Sequence, residues 1–143
     1  MEIAGSCHCG NVSFALTWPD ESGEIPARAC GCTFCRKHGG VWTSHPGATL
    51  RARVTEPGMV GRYAFGTETA SFLVCARCGV APLVTSQIEG TTYAVVNVNT
   101  FDNVDPARLH AQPASFEGED VRGRLERRRR NWIADVILAE GGS

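Results

Sequence analysis

With 143 residues and 43% hydrophobic content, the chain can bury one core but is short for two ordinary domains, so a single domain over 1–143 is expected. Fourteen Lys and Arg against fifteen Asp and Glu leave a formal charge of −1, which argues against a global basic field for nucleic acid or an anionic membrane surface. Residues 1–5 lack a signal-peptide pattern and no apolar run reaches the roughly 18 to 20 residues a bilayer span needs, so a soluble cytoplasmic protein is expected.

Taken in chain order, the first hundred residues are broken by Gly, Pro and short polar stretches into runs that alternate or are rich in β-branched and aromatic residues. In the run 12–17, Val12, Phe14 and Leu16 share one strand face, with Ser13, Ala15 and Thr17 on the other. A helical turn is predicted over 33–38, closed by Gly39 and Gly40. Further strands are predicted at 41–44, 50–54, 59–65, 70–75, 83–86 and 92–98, each short enough to want an antiparallel partner. The polar segment 102–120, with Pro106 and Pro113, reads as a long surface connection. From 125 to 138, Leu125, Trp132, Ile133, Val136 and Ile137 recur at helical spacing, which predicts a C-terminal amphipathic helix. Arg127 to Arg130 would form the solvated face of that helix rather than a nucleic-acid patch. Trp42, Phe65, Phe72, Tyr93 and Phe101 are read as core in preference to the lining of a ligand pocket, and Asn97, Asn99 and Thr100 as loop-forming groups in preference to polar pocket groups. The predicted fold class is therefore mainly β, with a C-terminal helix.

The seven cysteines fall into three groups, Cys7 and Cys9, then Cys30, Cys32 and Cys35, then Cys75 and Cys78. An odd count, close spacing and no export signal favour metal over a disulfide framework. A tetrahedral site takes four soft ligands, and a cysteine pair on a tight turn supplies two adjacent corners. Cys9 is followed by Gly10 and Cys78 by Gly79, and glycine there allows a positive φ that folds the backbone over the sulfur. These matching pairs, joined on one ion, make a saturated structural site of Cys7, Cys9, Cys75 and Cys78. Cys30, Cys32 and Cys35 leave one corner free, as catalytic zinc does. His8, His38 or His45 remain candidates to close that corner, His38 foremost because it lies three residues beyond Cys35. Iron stays open as an alternative metal, since thiolates hold iron as well.

Three segments carry a resemblance. They are Gly5-Ser6-Cys7-His8-Cys9-Gly10-Asn11-Val12, then Cys30-Gly31-Cys32-Thr33-Phe34-Cys35-Arg36-Lys37, then Phe72-Leu73-Val74-Cys75-Ala76-Arg77-Cys78-Gly79. In this order they resemble, over about residues 3–101, the glutathione-dependent formaldehyde-activating enzyme family, whose domain also occurs in centromere protein V. The resemblance implies antiparallel sheets assembled around a structural zinc in a β-tent-like fold. It also implies two zinc ions per chain, the structural one on the outer pairs and the catalytic one on Cys30, Cys32 and Cys35. The implied activity is that of a carbon-sulfur lyase-type enzyme joining formaldehyde, or a related aldehyde, to the thiol of glutathione. This chain departs from the pattern at Gly31 and at Val80-Ala81-Pro82, and neither departure removes a ligand. The alternative from a different class is a zinc-stabilised binding module whose middle triplet is closed or vacant.

Overall fold

The computed structural model describes residues 1–20 and 23–141. Its two sheets arise from eleven strands: β1 (Glu2–Ser6), β2 (Val12–Thr17), β3 (Ile25–Cys30), β4 (Trp42–Thr43), β5 (Thr49–Val54), β6 (Val60–Tyr63), β7 (Ser71–Cys75), β8 (Leu83–Ile88), β9 (Thr91–Asn97), β10 (Leu109–Ala114) and β11 (Asp135–Glu140). Two α-helices, α1 (Thr33–His38) and α2 (Val121–Asn131), accompany them. The smaller sheet runs β1-β2-β5-β11 and the larger β10-β3-β4-β9-β8-β7-β6.

The sheets pack face to face. Ile3, Val12, Leu16, Leu50 and Val54 from the small sheet meet Ile25, Leu73, Leu83, Ala94 and Val96 from the large one in a single buried cluster. Alternation along the central strands sends the intervening residues to the opposite face of the large sheet. There Phe72, Val84 and Val95 join Trp42, Cys35 and Trp132 in a second cluster. A strand with both faces covered is buried along its length, as Leu83 to Ser86 are, here with Thr85 and Ser86 as buried polar members.

One glycine on this framework is required by close approach. Gly5 of β1 sits opposite Phe14 of β2, and a Cβ on Gly5 would come within 2.2 Å of the Phe14 ring. Phe14 in turn meets Phe101 edge-on, centroids 6.1 Å apart.

The expectation of a mainly β chain holds, but purely antiparallel pairing does not. β10 pairs parallel with β3 and β11 parallel with β5, so both sheets are mixed. β1, β3, β10 and β11 were absent from the predicted strands. β1 has glycine or alanine at two of its five positions, β3 and β10 each hold a proline, and the parallel partners of β10 and β11 are far away in sequence. The segment 102–120 is therefore not a plain surface connection, because Leu109–Ala114 of it forms the edge strand β10.

The C-terminal helix is also corrected. It starts earlier, where the Asp120 carboxylate caps it by accepting from the Gly123 N–H at 2.7 Å. It ends at Asn131, well short of 138. Beyond it, Ile133 exchanges two backbone hydrogen bonds with Ala94 of β9, each 3.0 Å, and the chain then extends. Val136 and Leu138 pack on the main core while Ile137 is exposed. That is a period of two, so apolar residues that look helical in sequence straddle a helix end and a strand.

Because Ile133 is fully buried at this junction, Ile133→Ala is expected to lower unfolding free energy by about 2–5 kcal/mol. Urea denaturation followed by circular dichroism measures it.

Candidate active site

The outer cysteine pairs lie on two turns, one from each sheet. Cys7 and Cys9 occupy the turn between β1 and β2, and Cys75 ends β7 with Cys78 just beyond it. The two turns repeat one local design. Gly10 donates to the Cys7 carbonyl at 3.1 Å and Gly79 to the Cys75 carbonyl at 2.8 Å, with φ of 85° and 80° at the two glycines. That left-handed backbone is what glycine permits and a β-carbon opposes, and it is the geometry expected from the sequence.

The four sulfurs lie within 4.8 Å of one another, Cys7 to Cys9 at 3.8 Å and Cys9 to Cys75 at 3.5 Å. Zinc–sulfur bonds of about 2.3 Å at tetrahedral angles place sulfurs about 3.8 Å apart. The cluster therefore fits such an ion without rearrangement. Protons are shared unevenly among the free thiols. Burial pushes Cys7 up to about 11, against the Val12 N–H that donates to its sulfur at 3.3 Å. Burial opposes ionisation of Cys78 too, but backbone N–H groups of Cys9 and Val80 hold it down to about 6.

The middle triplet is built differently. Cys30 is the last residue of β3, Cys32 is the N-cap of α1, and Cys35 lies in that helix. The Cys32 sulfur accepts from the Cys35 N–H at 3.4 Å, the role that a serine or aspartate oxygen fills at other helix starts. Gly39 ends the helix at φ 79°. The turn is held from outside as well, since the Gly31 N–H donates to the Ala114 carbonyl of β10 at 2.8 Å. The three sulfurs also lie within 4.8 Å of one another, and no imidazole or carboxylate joins them among the described residues. Hydrogen bonding from Cys35 holds Cys30 down to about 5, assisted by the Cys32 N–H, while the same contact pushes Cys35 upward.

The candidate fourth ligands sit elsewhere. The His38 ring stacks on Phe34 at 5.4 Å. His45 lies edge-on to Trp18, and its Nδ1 accepts from the Gly47 N–H at 2.9 Å. His8 is exposed on the first turn. Asn97, Asn99 and Thr100 spend their polar groups on backbone, the Asn97 amide on Ala81 and the Asn99 amide on Gly39.

The triplet opens into a cavity of about 500 Å³, within the range of small-molecule sites. Trp42, Phe72, Val84 and Val95 form an apolar wall, so Trp42 and Phe72, for which core was preferred to pocket lining, also face a cavity. The opposite wall comes from α2, which presents Arg124, Arg127 and Arg128. Arg128 is 6% exposed, and the expectation of a solvated arginine face fails there. Its spacing alone gave no sign of this, because the helix is polar nearly all round and its inward face is chosen by the cavity.

Arg128 Nη1 donates to Thr69 Oγ1 at 2.8 Å and Ser86 Oγ at 3.1 Å, and its guanidinium carbon lies 5.0 Å from the Trp132 ring centroid. Burial first, then the neighbouring Arg127 and Arg124, draw it down to about 10. Arg127 is neutralised by Glu119, with Nε 3.0 Å from Oε2, and it stacks 3.7 Å above Phe116. Arg28 hydrogen-bonds Ser44 Oγ at 3.0 Å.

A family model described as glutathione-dependent formaldehyde-activating enzyme matches residues 2–118. The chain belongs to that family. A crystal structure of a Rhodobacter sphaeroides protein is similar to it, with 28% identity and a TM-score of 0.55, over 77% of this chain and 97% of that one. No curated protein matches it significantly. The match extends past the region of sequence resemblance to take in β10, and α2 and β11 fall beyond it. No helix among the described residues is long and apolar enough to cross a membrane.

Two outcomes follow from this geometry. Chain refolded in zinc is expected to hold close to two ions, and Cys78→Ser to lose the ion that survives a chelator longest, read by inductively coupled plasma mass spectrometry. Glu119, hydrogen-bonded by Arg127, is held below the usual carboxylate range. Its folded pKa is thus lower than its unfolded one, so its stabilisation is present above about pH 4.3 and is lost as pH falls through the folded value. Glu119→Gln should remove that part of the acid-side loss in a pH series of thermal melts.

Proposed function

We propose that this chain is a zinc-dependent enzyme of the carbon-sulfur lyase type, which adds formaldehyde or a related small aldehyde to glutathione. The observation that supports it is a three-sulfur cluster at the wall of a small-molecule cavity, distinct from a four-sulfur cluster that joins the sheets. On this reading Cys7, Cys9, Cys75 and Cys78 hold a structural zinc, and Cys30, Cys32 and Cys35 hold a catalytic one. Family membership supplies the substrate pair, and a cytoplasmic setting, where glutathione is abundant, belongs to the same proposal.

Zinc held by three thiolates supplies, when bound, a Lewis-acid position that favours the ionised form of a substrate thiol. The protein's own part is to position. Cys32 and Cys35 are set by the start of α1, and Gly31 is tied to β10, so the three sulfurs keep a fixed facing toward the cavity. Trp42 Nε1 lies buried on the same wall with no acceptor in hydrogen-bonding geometry among the described residues, and the nearby N–H dipole favours the ionised form of Cys35. Trp42, Phe72, Val84 and Val95 give the cavity an apolar side suited to a one-carbon aldehyde.

The reaction needs no oxidant. The thiol sulfur forms a bond to the carbonyl carbon, the π pair moves to oxygen, and oxygen takes up a proton equivalent to the one the thiol gave up. Most of the acceleration would come from proximity, since the addition already proceeds in water. Arg36, exposed at the cavity rim, and the α2 arginines make its mouth cationic.

Exchange between free glutathione and its formaldehyde adduct, followed by NMR exchange spectroscopy, tests the proposal. Zinc-loaded protein is expected to speed the exchange, and Cys32→Ser to return it to the uncatalysed rate with the four-sulfur site still loaded. A wild-type protein holding two zinc ions but giving no acceleration would overturn the assignment.

A further inference from the structure

The cavity over the triplet is lined by five arginines and one glutamate, Glu117. Most of these cations have an evident use. Arg127 and Arg124 are both met by Glu119. Arg28 and Arg127 act electrostatically on Cys30, and three thiolates around a divalent ion leave a net negative charge for them to balance.

Arg128 has neither partner. No carboxylate pairs with it among the described residues, and the charges that act most on it are those of Arg127, Arg124 and Glu119. Its Nη1 is satisfied by two neutral hydroxyls. Among the described residues its Nε, out of solvent contact, meets no hydrogen-bond acceptor, and the side-chain hydrogen bonds it makes there all leave from Nη1. A guanidinium removed from water is costly unless an anion compensates it. The edge left free, Nε with Nη2, is one of the two-donor edges that a carboxylate takes in a fork.

The surroundings hold this group in place. Thr69 Oγ1 is itself hydrogen-bonded to Thr67 Oγ1 at 2.8 Å, and Ser86 Oγ donates to the Thr69 carbonyl at 2.7 Å. Trp132 stacks on the guanidinium. Such fixed hydroxyls and one fixed aromatic face make the arginine a preset receptor rather than a mobile surface cation.

We propose that Arg128, carried by α2, is the carboxylate-binding residue of the cavity, and that a thiol substrate enters with a carboxylate against it and its sulfur toward Cys30, Cys32 and Cys35. This rests on the proposed function for the sulfur end, and adds to it a requirement on the other end of the substrate. It assigns a binding role to a helix beyond the residues that the family model matches. The substrate class becomes thiols bearing a carboxylate, and uncharged thiols are disfavoured.

Quenching of Trp132 and Trp42 fluorescence in the zinc-loaded protein reports the binding, with glutathione and mercaptosuccinate as probes, each beside its fully esterified form. The wild type is expected to bind each acid about tenfold or more tightly than its ester, as a charge-assisted hydrogen bond implies. Arg128→Met should bring that ratio near one. If Arg128→Met does not fold, Arg128→Lys decides, because an ammonium keeps the charge but loses the fork, and the ratio should fall severalfold. An acid-to-ester ratio near one in the wild type, or a ratio unchanged in whichever variant folds, would overturn the proposal. So would an absence of binding by both acids. Binding of mercaptosuccinate, dependent on Arg128, with none of glutathione would sustain the carboxylate site and count against glutathione as the substrate.

Discussion

The arrangement of the chain hangs on the meeting of two cysteine turns from different sheets. The first turn closes the β1–β2 hairpin of the small sheet, and the second follows β7 of the large one. Their sulfurs come within bonding range of a common ion across a separation of 66 residues between Cys9 and Cys75. An ion bridging them would cross-link a loop of that length, which on the polymer estimate removes about 4 kcal/mol of unfolded-chain entropy. Cys7 and Cys75 are also members of the main apolar core. An ion held there would favour the same juxtaposition of sheets as the packing of Ile3, Leu73 and Leu83, and each would make the other easier to achieve.

Once the sheets are joined in that way, the opposite face of the large sheet is left to be covered. It is covered incompletely. α1 brings Cys35 and Phe34 over one part, Trp132 covers another, and the space between them is the cavity. Strand alternation links the two halves of the molecule, since Leu83 and Val96 face the core between the sheets while their neighbours Val84 and Val95 face the cavity. A shift of one residue in the β8–β9 register would exchange these sets.

The cavity is also where ordinary stability rules are relaxed. Arg128 is a buried cation without a counter-ion, and Trp42 Nε1 is a buried donor without an acceptor. Unmet polar groups of this kind concentrate at binding sites because a ligand can satisfy what the fold does not. Both lie on the same wall system as the three-sulfur cluster, whereas the polar residues on the loop after β9 are fully engaged. Asn97, for example, accepts from the Asn99 N–H at 3.1 Å and donates to Ala81 at 3.2 Å.

The cysteine sites were legible in the chain because their chemistry is local. Two ligands one or two residues apart, with glycine following, define half a tetrahedron before any long-range contact is made, and Gly10 and Gly79 adopt the positive φ that reading requires. The central strands were legible for a similar reason, as alternation and β-branching act over a few residues. The rest depended on partners remote in sequence. Leu109–Ala114 becomes a strand only because β3 offers an edge, and Asp135–Glu140 only because β5 does. Ile133 leaves the helical path because Ala94 supplies both hydrogen bonds. Arg128 differs from its half-buried neighbour Arg129, which pairs with Glu89 and Glu126, by one step of a polar helix, about 100° of rotation. The sequence by itself determined which residues can hold metal. Only the tertiary structure decided which arginine is buried against the cavity, because on a helix without an apolar stripe the inward side is set by what it packs against.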